Sequence, residues 1–381
     1  MSKVIPLLNL KKLHALNKKE YLEIFNEILD KNDFILGNSV NKFEKEFSNY
    51  VSSKYSIGVS NGTDALTLAL NALNLPKNSK ILVPAMTYIS TAFAVINAGY
   101  KLELMDVDEC GLINLNEKDE KIYKKVKAIL PVSLYGQVPN LSKLKNIKKK
   151  FNLKIVLDAS QAQGSYACGN NCPKNISHCC KKNKPDSFSF IDIVCYSLYP
   201  GKNLGAFGDA GVITTNNKNY YTKICHLRNL GFIQKNKHNY IGFNNRLDTL
   251  NAEVLRLKLT KLEELNDKRR SIYQLYSAIC EKKNINFIRH NLGSSLHQFL
   301  IKPNNKKFFI DNLNKQKISY GFHYNKPINR HICFKDFDFY KKNYPNANWI
   351  AKKTVSIPID PLLSKNELKR IKDFLSSYDN K

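Results

Sequence analysis

The sequence predicts an α/β fold: a large domain built on a mainly parallel sheet sandwiched by helices, followed by a small α+β C-terminal domain. Two observations carry this. Between residues 65 and 215, short apolar runs alternate with segments whose apolar residues recur at helical spacing. Strand–helix alternation of this kind is the pattern of a parallel sheet covered on both faces. Near residue 250 the alternation gives way to a long helical stripe, which marks a change of domain.

The elements follow in order. ALTLALNALNL (65–75) has helical spacing. KILVPAM (80–86) is a short apolar run ending near Pro, as in a buried strand. STAFAVINAG (90–99) reads as a helix closed by Gly99. KLELMDVD (101–108) alternates and ends in acids, and KAILPVSLYG (127–136) reads as another buried strand. LSKLKNIKKKF (141–151) is amphipathic, KIVLD (154–158) is again a strand, and IVCYSLY (193–199) and AGVITT (210–215) follow. The stretch 250–280 reads as one helix linking the two domains. HQFLIKP (297–303), KKFFIDNLNKQ (306–316) and LSKNELKRIKDFL (363–375) make up the small α+β part. The expected division is therefore 1–250 and 251–381, with a polar, Cys-rich surface loop inserted at 166–186.

Composition bounds the function. With 381 residues the chain can bury a sizeable core. The longest candidate span, AFAVINAGY (92–100), is far too short to cross a membrane. The opening segment has no long apolar core before a cleavage site, so no signal peptide is expected. An odd count of nine cysteines, without a secretory signal, fits a reduced, cytoplasmic setting. Four of these, Cys168, Cys172, Cys179 and Cys180, crowd around His178, but their spacing is not that of a zinc ribbon or finger, and no metal is expected. The net charge of +28 comes from lysines scattered over the whole chain, not gathered in one arm. That distribution argues against nucleic acid as a partner, while the positive field would help capture a diphosphate-bearing substrate.

In parallel sheets ligands collect at the carboxyl ends of strands. Tyr88, Ser133, Asp158 and Ser197 all fall at or just past such ends. SNGTDALTLAL (60–70) places Gly62 and Thr63 at a turn that opens a helix, where backbone N–H groups and the helix dipole can cradle a phosphate. Lys202 lies in CYSLYPGKNLGAFGDAGVITT (195–215), after a strand and before a Gly-punctuated turn. A P-loop reading fails there, because Asn203 stands where Ser or Thr is required and Tyr196 where Gly is required. Taken singly, NGTD is also a plain helix N-cap, Asp158 a turn cap and Lys202 a surface lysine. Together they are the parts of a pyridoxal-phosphate (PLP) enzyme. A lysine amine can form a Schiff base with the cofactor aldehyde, and an aspartate can keep the pyridine nitrogen protonated.

The chain resembles the DegT/DnrJ/EryC1/StrS family of sugar-nucleotide aminotransferases nearly end to end. The resemblance rests on SNGTDALTLAL, PAMTY, PVSLYGQ, DASQAQGS, SLYPGKNLGAFGDAG, GFNNRLDTLNAEVLRLKL and GFHYNKP, in that order. It implies a fold-type I PLP enzyme in which Lys202 holds the cofactor and shuttles the proton, and Asp158 pairs with the ring nitrogen. Gln161 would bond the 3-oxygen, Tyr88 would stack on the ring, and Gly62, Thr63 and Ser197 would bind the phosphate. Asn244 would reach the phosphate of a partner subunit, so a homodimer with shared sites is implied. Arg246 is either structural or substrate-facing, and Ser133, His323 and Tyr324 match the substrate region. Gly201 precedes the lysine where Thr or Ser is common, so one phosphate hydroxyl contact is missing. The implied reaction moves an amino group, from glutamate, onto a keto-sugar carried by a nucleoside diphosphate, in amino-sugar and glycan biosynthesis. IPLLNL, TYISTA, NNRLDTL and Ser133, where many members have His, favour a 3-keto over a 4-keto-6-deoxy sugar. Dehydratase relatives carry His in place of the lysine, which Lys202 argues against. A basic nucleic-acid- or ligand-binding relative would explain the charge but not this constellation.

Overall fold

The computed structural model describes residues 3–116, 118–166, 188–234 and 236–378. The Cys-rich insertion, its four cysteines and His178 lie outside the described residues, apart from Tyr166 at its start.

Short runs of β-branched and aliphatic residues form the main sheet. Its strands are β1 (Tyr55–Val59), β2 (Lys80–Pro84), β3 (Lys101–Met105), β4 (Ala128–Ile129), β5 (Lys154–Asp158), β6 (Ile193–Ser197) and β7 (Gly211–Thr215). They lie in the order β1-β7-β6-β5-β4-β2-β3. β3, β2, β4, β5 and β6 run parallel, whereas β7 is antiparallel to both β6 and β1. Successive side chains alternate between faces, so each strand feeds two cores. Val156 and Ile193 pack with the helices Gly62–Leu73, Ile89–Asn97 and Lys218–Leu227. Ile155, Leu157 and Val194 pack with Asn38–Tyr50, Leu141–Phe151 and Thr249–Leu259 on the other side. Truncating one such residue, Leu157 to Ala for example, should cost about 2–5 kcal/mol.

KAILPVSLYG is a strand only at Ala128–Ile129. Pro131 has no N–H to donate, and beyond Val132, which bridges Asp158, the chain turns into a 3-10 helix at Leu134–Gly136. The stripe after residue 250 is two helices, Thr249–Leu259 and Leu262–Lys282, instead of one. The break falls at Thr260, whose hydroxyl donates to the Leu257 carbonyl.

A two-stranded antiparallel ribbon, β8 (Phe232–Gln234) and β9 (Lys237–His238), follows the Lys218–Leu227 helix. The second sheet is antiparallel: β10 (Asn286–Phe287), β11 (Phe299–Lys302) and β12 (Val355–Ile357). It shares a third core with the inner face of the long helix, through Ile272, Tyr276 and Cys280, and with Phe309, Ile371 and Phe374. The N-terminal segment joins this unit, since Ile5 bridges Ile318 and is buried in the same core.

Candidate active site

The site is assembled where β2, β5 and β6 end. Asp158 is the last residue of β5 and is buried. Its Oδ2 accepts the Thr91 hydroxyl at 2.8 Å and its Oδ1 accepts the Ser160 amide at 3.0 Å, which fixes the carboxylate plane. The Ser133 amide donates to the Asp158 carbonyl at 2.8 Å. Ser133 is 0% exposed and its hydroxyl has no partner among the described residues.

Gln161 follows one turn later. Its Oε1 accepts the Tyr135 amide at 2.6 Å, and its Nε2 donates to the Tyr324 hydroxyl at 2.9 Å. Tyr324 in turn meets Tyr88, with ring centroids 5.6 Å apart. Tyr88 is 57% exposed and caps the start of the Ile89–Asn97 helix, so a broad aromatic face stands open beside Gln161. The Tyr135 hydroxyl donates to the His323 carbonyl at 2.5 Å. His323 pairs its Nδ1 with the Ser356 hydroxyl at 2.8 Å. Burial, with the charge of Lys202 adding to it, lowers its pKa to about 4.

The start of the Gly62–Leu73 helix supplies anion-binding donors. The Asn61 side chain accepts the Asp64 amide and the Asn61 carbonyl accepts the Ala65 amide. The amides of Gly62 and Thr63 are left without a partner among the described residues. A Cβ on Gly62 would lie 2.6 Å from the Ser197 Cβ, so only glycine lets the helix start come this close to the end of β6. Two free N–H groups, a helix dipole and the Ser197 hydroxyl therefore converge.

Lys202 follows β6 across a short loop, its amide bonded to the Tyr199 carbonyl at 2.8 Å. Burial of its amine, partly offset by Asp158, pulls the pKa down to about 8. Asn203, the next residue, is buried and fully bonded. Its Nδ2 donates to Asn266 Oδ1 (2.9 Å) and to the Ser295 carbonyl (2.8 Å), which leaves its Oδ1 to accept from His297 Nδ1 at 3.0 Å. His297 thus carries its proton on Nδ1. Burial, together with the charges of Lys202 and Arg269, pushes its pKa well below the ordinary range. The ring is neutral at pH 7 and presents a lone pair at Nε2.

The structure thus brings together Asp158, Ser133, Gln161, Tyr88, Tyr324 and His323, and separately Gly62, Thr63 and Ser197, with Lys202 coupled electrostatically to Asp158 and His323. Asn244 is exposed on a segment that runs beside Val59 and Asn229. Arg246 lies two residues on, bridging Val59 and donating to Asn229 Oδ1 at 3.2 Å. The sequence reading missed His297 and Asn203. The only signal was a histidine opening an apolar run at 297–301 and an amide beside the lysine.

A model of the DegT/DnrJ/EryC1/StrS aminotransferase family matches residues 16–376. The chain belongs to that family. It is 32% identical over 396 residues to the dTDP-3-amino-3,6-dideoxy-alpha-D-galactopyranose transaminase of Aneurinibacillus thermoaerophilus, covering 98% of this chain and 99% of the relative. It is 30% identical over 370 residues to the UDP-N-acetyl-3-dehydro-alpha-D-glucosamine 3-aminotransferase of Acidithiobacillus ferrooxidans, covering 96% of each. The crystal structure of DesV from S. venezuelae matches with a TM-score of 0.91 and 27% identity over 100% of both chains. This member of the family is a PLP-dependent aminotransferase. Its residues fit that cofactor: an orphaned hydroxyl at Ser133 stands beside Asp158, and two free amides stand at a glycine-only approach beside Ser197.

Proposed function

We propose that the enzyme transfers an amino group from L-glutamate onto carbon 3 of a keto-sugar linked to a nucleoside diphosphate. The observation that carries this is the gathering of a low-pKa lysine, a pinned carboxylate and free helix-start amides past the carboxyl ends of β6, β5 and β1. Relatives named for amination at carbon 3 support the position of transfer.

Each residue has a role. Gly62 and Thr63 N–H groups and the Ser197 hydroxyl hold the phosphate. Tyr88 supplies the aromatic wall, and Gln161, with one Nε2 proton still free, donates to the ring oxygen. Asp158, held by Thr91 and Ser160, keeps its negative charge against the ring nitrogen. When bound, the protonated PLP ring draws electrons away from the reacting carbon. Lys202 moves the proton: an amine with a pKa near 8 accepts and releases it near neutral pH at little cost. His297 and His323, both neutral, avoid competing for that proton.

The enzyme works as a homodimer in this reading, with Asn244 reaching the partner's phosphate. Phe25, Leu29, Phe34 and Ile35 expose apolar side chains, and Ile241, three residues before Asn244, is 97% exposed. A second copy would cover them. Ile241→Glu should shift the protein toward monomer in light scattering. No helix among the described residues is long and apolar enough to cross a membrane. The described cysteines are unpaired, which suits a cytoplasmic setting.

The test is an absorbance spectrum of the protein with PLP, then with L-glutamate, beside Lys202→Ala. A visible band that glutamate bleaches, and that the variant does not form, is expected. The amino form is then offered 3-keto and 4-keto nucleotide sugars, and the 3-keto compound should react faster. No band in folded wild-type protein would refute the assignment; faster reaction of the 4-keto compound would refute the carbon.

A further inference from the structure

One buried guanidinium has no ion-pair partner among the described residues. Arg269 is 6% exposed, yet its Nη1 is buried without a hydrogen-bond partner among the described residues, and no carboxylate pairs with it there. An isolated buried cation is costly, so an unpaired one calls for an absent anion. Asp360, whose charge reaches Arg269, makes no salt bridge with it and is engaged elsewhere: its Oδ2 accepts the Asn9 amide at 2.6 Å and its Oδ1 the Leu362 amide at 2.8 Å.

Arg269 also sits in the right place. It lies three residues after Asn266 on the Leu262–Lys282 helix, and so on the same face. Asn266 donates its Nδ2 to the Gln163 carbonyl at 3.0 Å and accepts at Oδ1 from Asn203 Nδ2 at 2.9 Å, and Asn203 is covalently next to Lys202. The same Asn203 holds His297, an imidazole that feels both the Lys202 and the Arg269 charge. The helix-start amides of Gly62 and Thr63, which suit a phosphate, belong to a different element. Neither is linked to Arg269 by any contact in this network.

We propose that Arg269 binds a carboxylate of the amino donor. This rests on the transaminase reading of the site. The guanidinium offers a planar fork of N–H donors matched to a carboxylate, and L-glutamate supplies one that the sugar half of the reaction does not need. Arg269 is then a donor-binding residue that settles which amine enters the site.

The test compares wild type, Arg269→Gln and Arg269→Lys. Half-saturation by L-glutamate is read from the absorbance change of the PLP-loaded enzyme. The second half-reaction, of the amino form with the keto-sugar nucleotide, is read from the return of the band. Glutarate, a dicarboxylate without an amine, is tested as a thermal-shift ligand on the same proteins. Arg269→Gln should raise the glutamate half-saturation about 10- to 100-fold, the range of one lost charge-assisted hydrogen bond. It should abolish the glutarate shift, leave the sugar half-reaction unchanged and melt no lower than wild type, with Arg269→Lys in between. An unchanged glutamate response, a loss confined to the sugar half-reaction, or a lowered melting point with both half-reactions falling together would each overturn the proposal. If wild type shows the Arg269-dependent glutarate shift but glutamate leaves its spectrum unaltered, the transaminase reading fails and the carboxylate site stands.

Discussion

Replacing Lys202 by Met should make the PLP-free protein more stable at neutral pH. The lysine has its pKa pulled from 10.5 to about 8 by burial. Holding it protonated in the fold therefore costs about 3 kcal/mol at pH 7. Below pH 8 the folded and unfolded chains both carry the proton, and the penalty is complete. Between pH 8 and 10.5 the unfolded chain keeps a proton that the folded chain has lost, so stability rises with pH; above 10.5 the penalty is gone. Met occupies a similar volume without the charge. For a chain of 381 residues, 3 kcal/mol corresponds to a melting shift of about 4 °C. The assay is thermal unfolding of wild type and Lys202→Met, both freed of PLP, from pH 7 to 10.5. The variant should melt about 4 °C higher at pH 7, with the gap closing as pH rises. Lys258, whose pKa burial also lowers to about 8, is present in both proteins and cancels. A variant that melts lower at pH 7, or a gap that ignores pH, would refute the claim that the amine is desolvated.

Three further outcomes are expected. Asp158→Asn keeps the shape but removes the charge, and should slow the glutamate half-reaction about 100-fold or more in stopped-flow absorbance. Gly62→Ala would press a Cβ to 2.6 Å from Ser197 Cβ; it should cost about 1–3 kcal/mol in urea unfolding and weaken PLP binding in a fluorescence titration. Glu44→Ala would strand the buried Arg228 guanidinium, which now pairs with Glu44, and leave the Gly58 amide without its 2.8 Å acceptor. That should cost about 3–5 kcal/mol by urea denaturation.

Much of the site was legible because its residues are local to elements with a clear period. Asp158 and Ser197 end apolar runs, and Gly62 and Thr63 open a helix whose spacing is plain in ALTLALNALNL. What stayed hidden depends on long-range contact. His297 opens a run that reads as an ordinary strand, and Arg269 sits in KRR, which reads as a basic helix face. Only the fold brings His297 to Asn203, and sets Arg269 one turn from Asn266, which bonds the same amide. Strand direction was equally hidden: AGVITT is buried along its whole length, so nothing in its pattern distinguishes antiparallel β7 from its parallel neighbours. The overreach of KAILPVSLYG beyond Ile129 has a local cause, since Pro131 was present in the sequence and weakens a ladder.

The long helix Leu262–Lys282 has a mechanical consequence. Near one end, Asn266 grips the residue beside Lys202; fourteen residues later, Cys280 is set in the core shared with the three-stranded sheet. The two points lie about 21 Å apart on a single stiff rod. A rod transmits displacement with little loss, so a tilt of the three-stranded sheet would pull on the backbone next to Lys202. Repacking around Cys280 or Tyr276 would then be felt at Lys202 and, on the role proposed for that amine, as a change in proton-transfer rate.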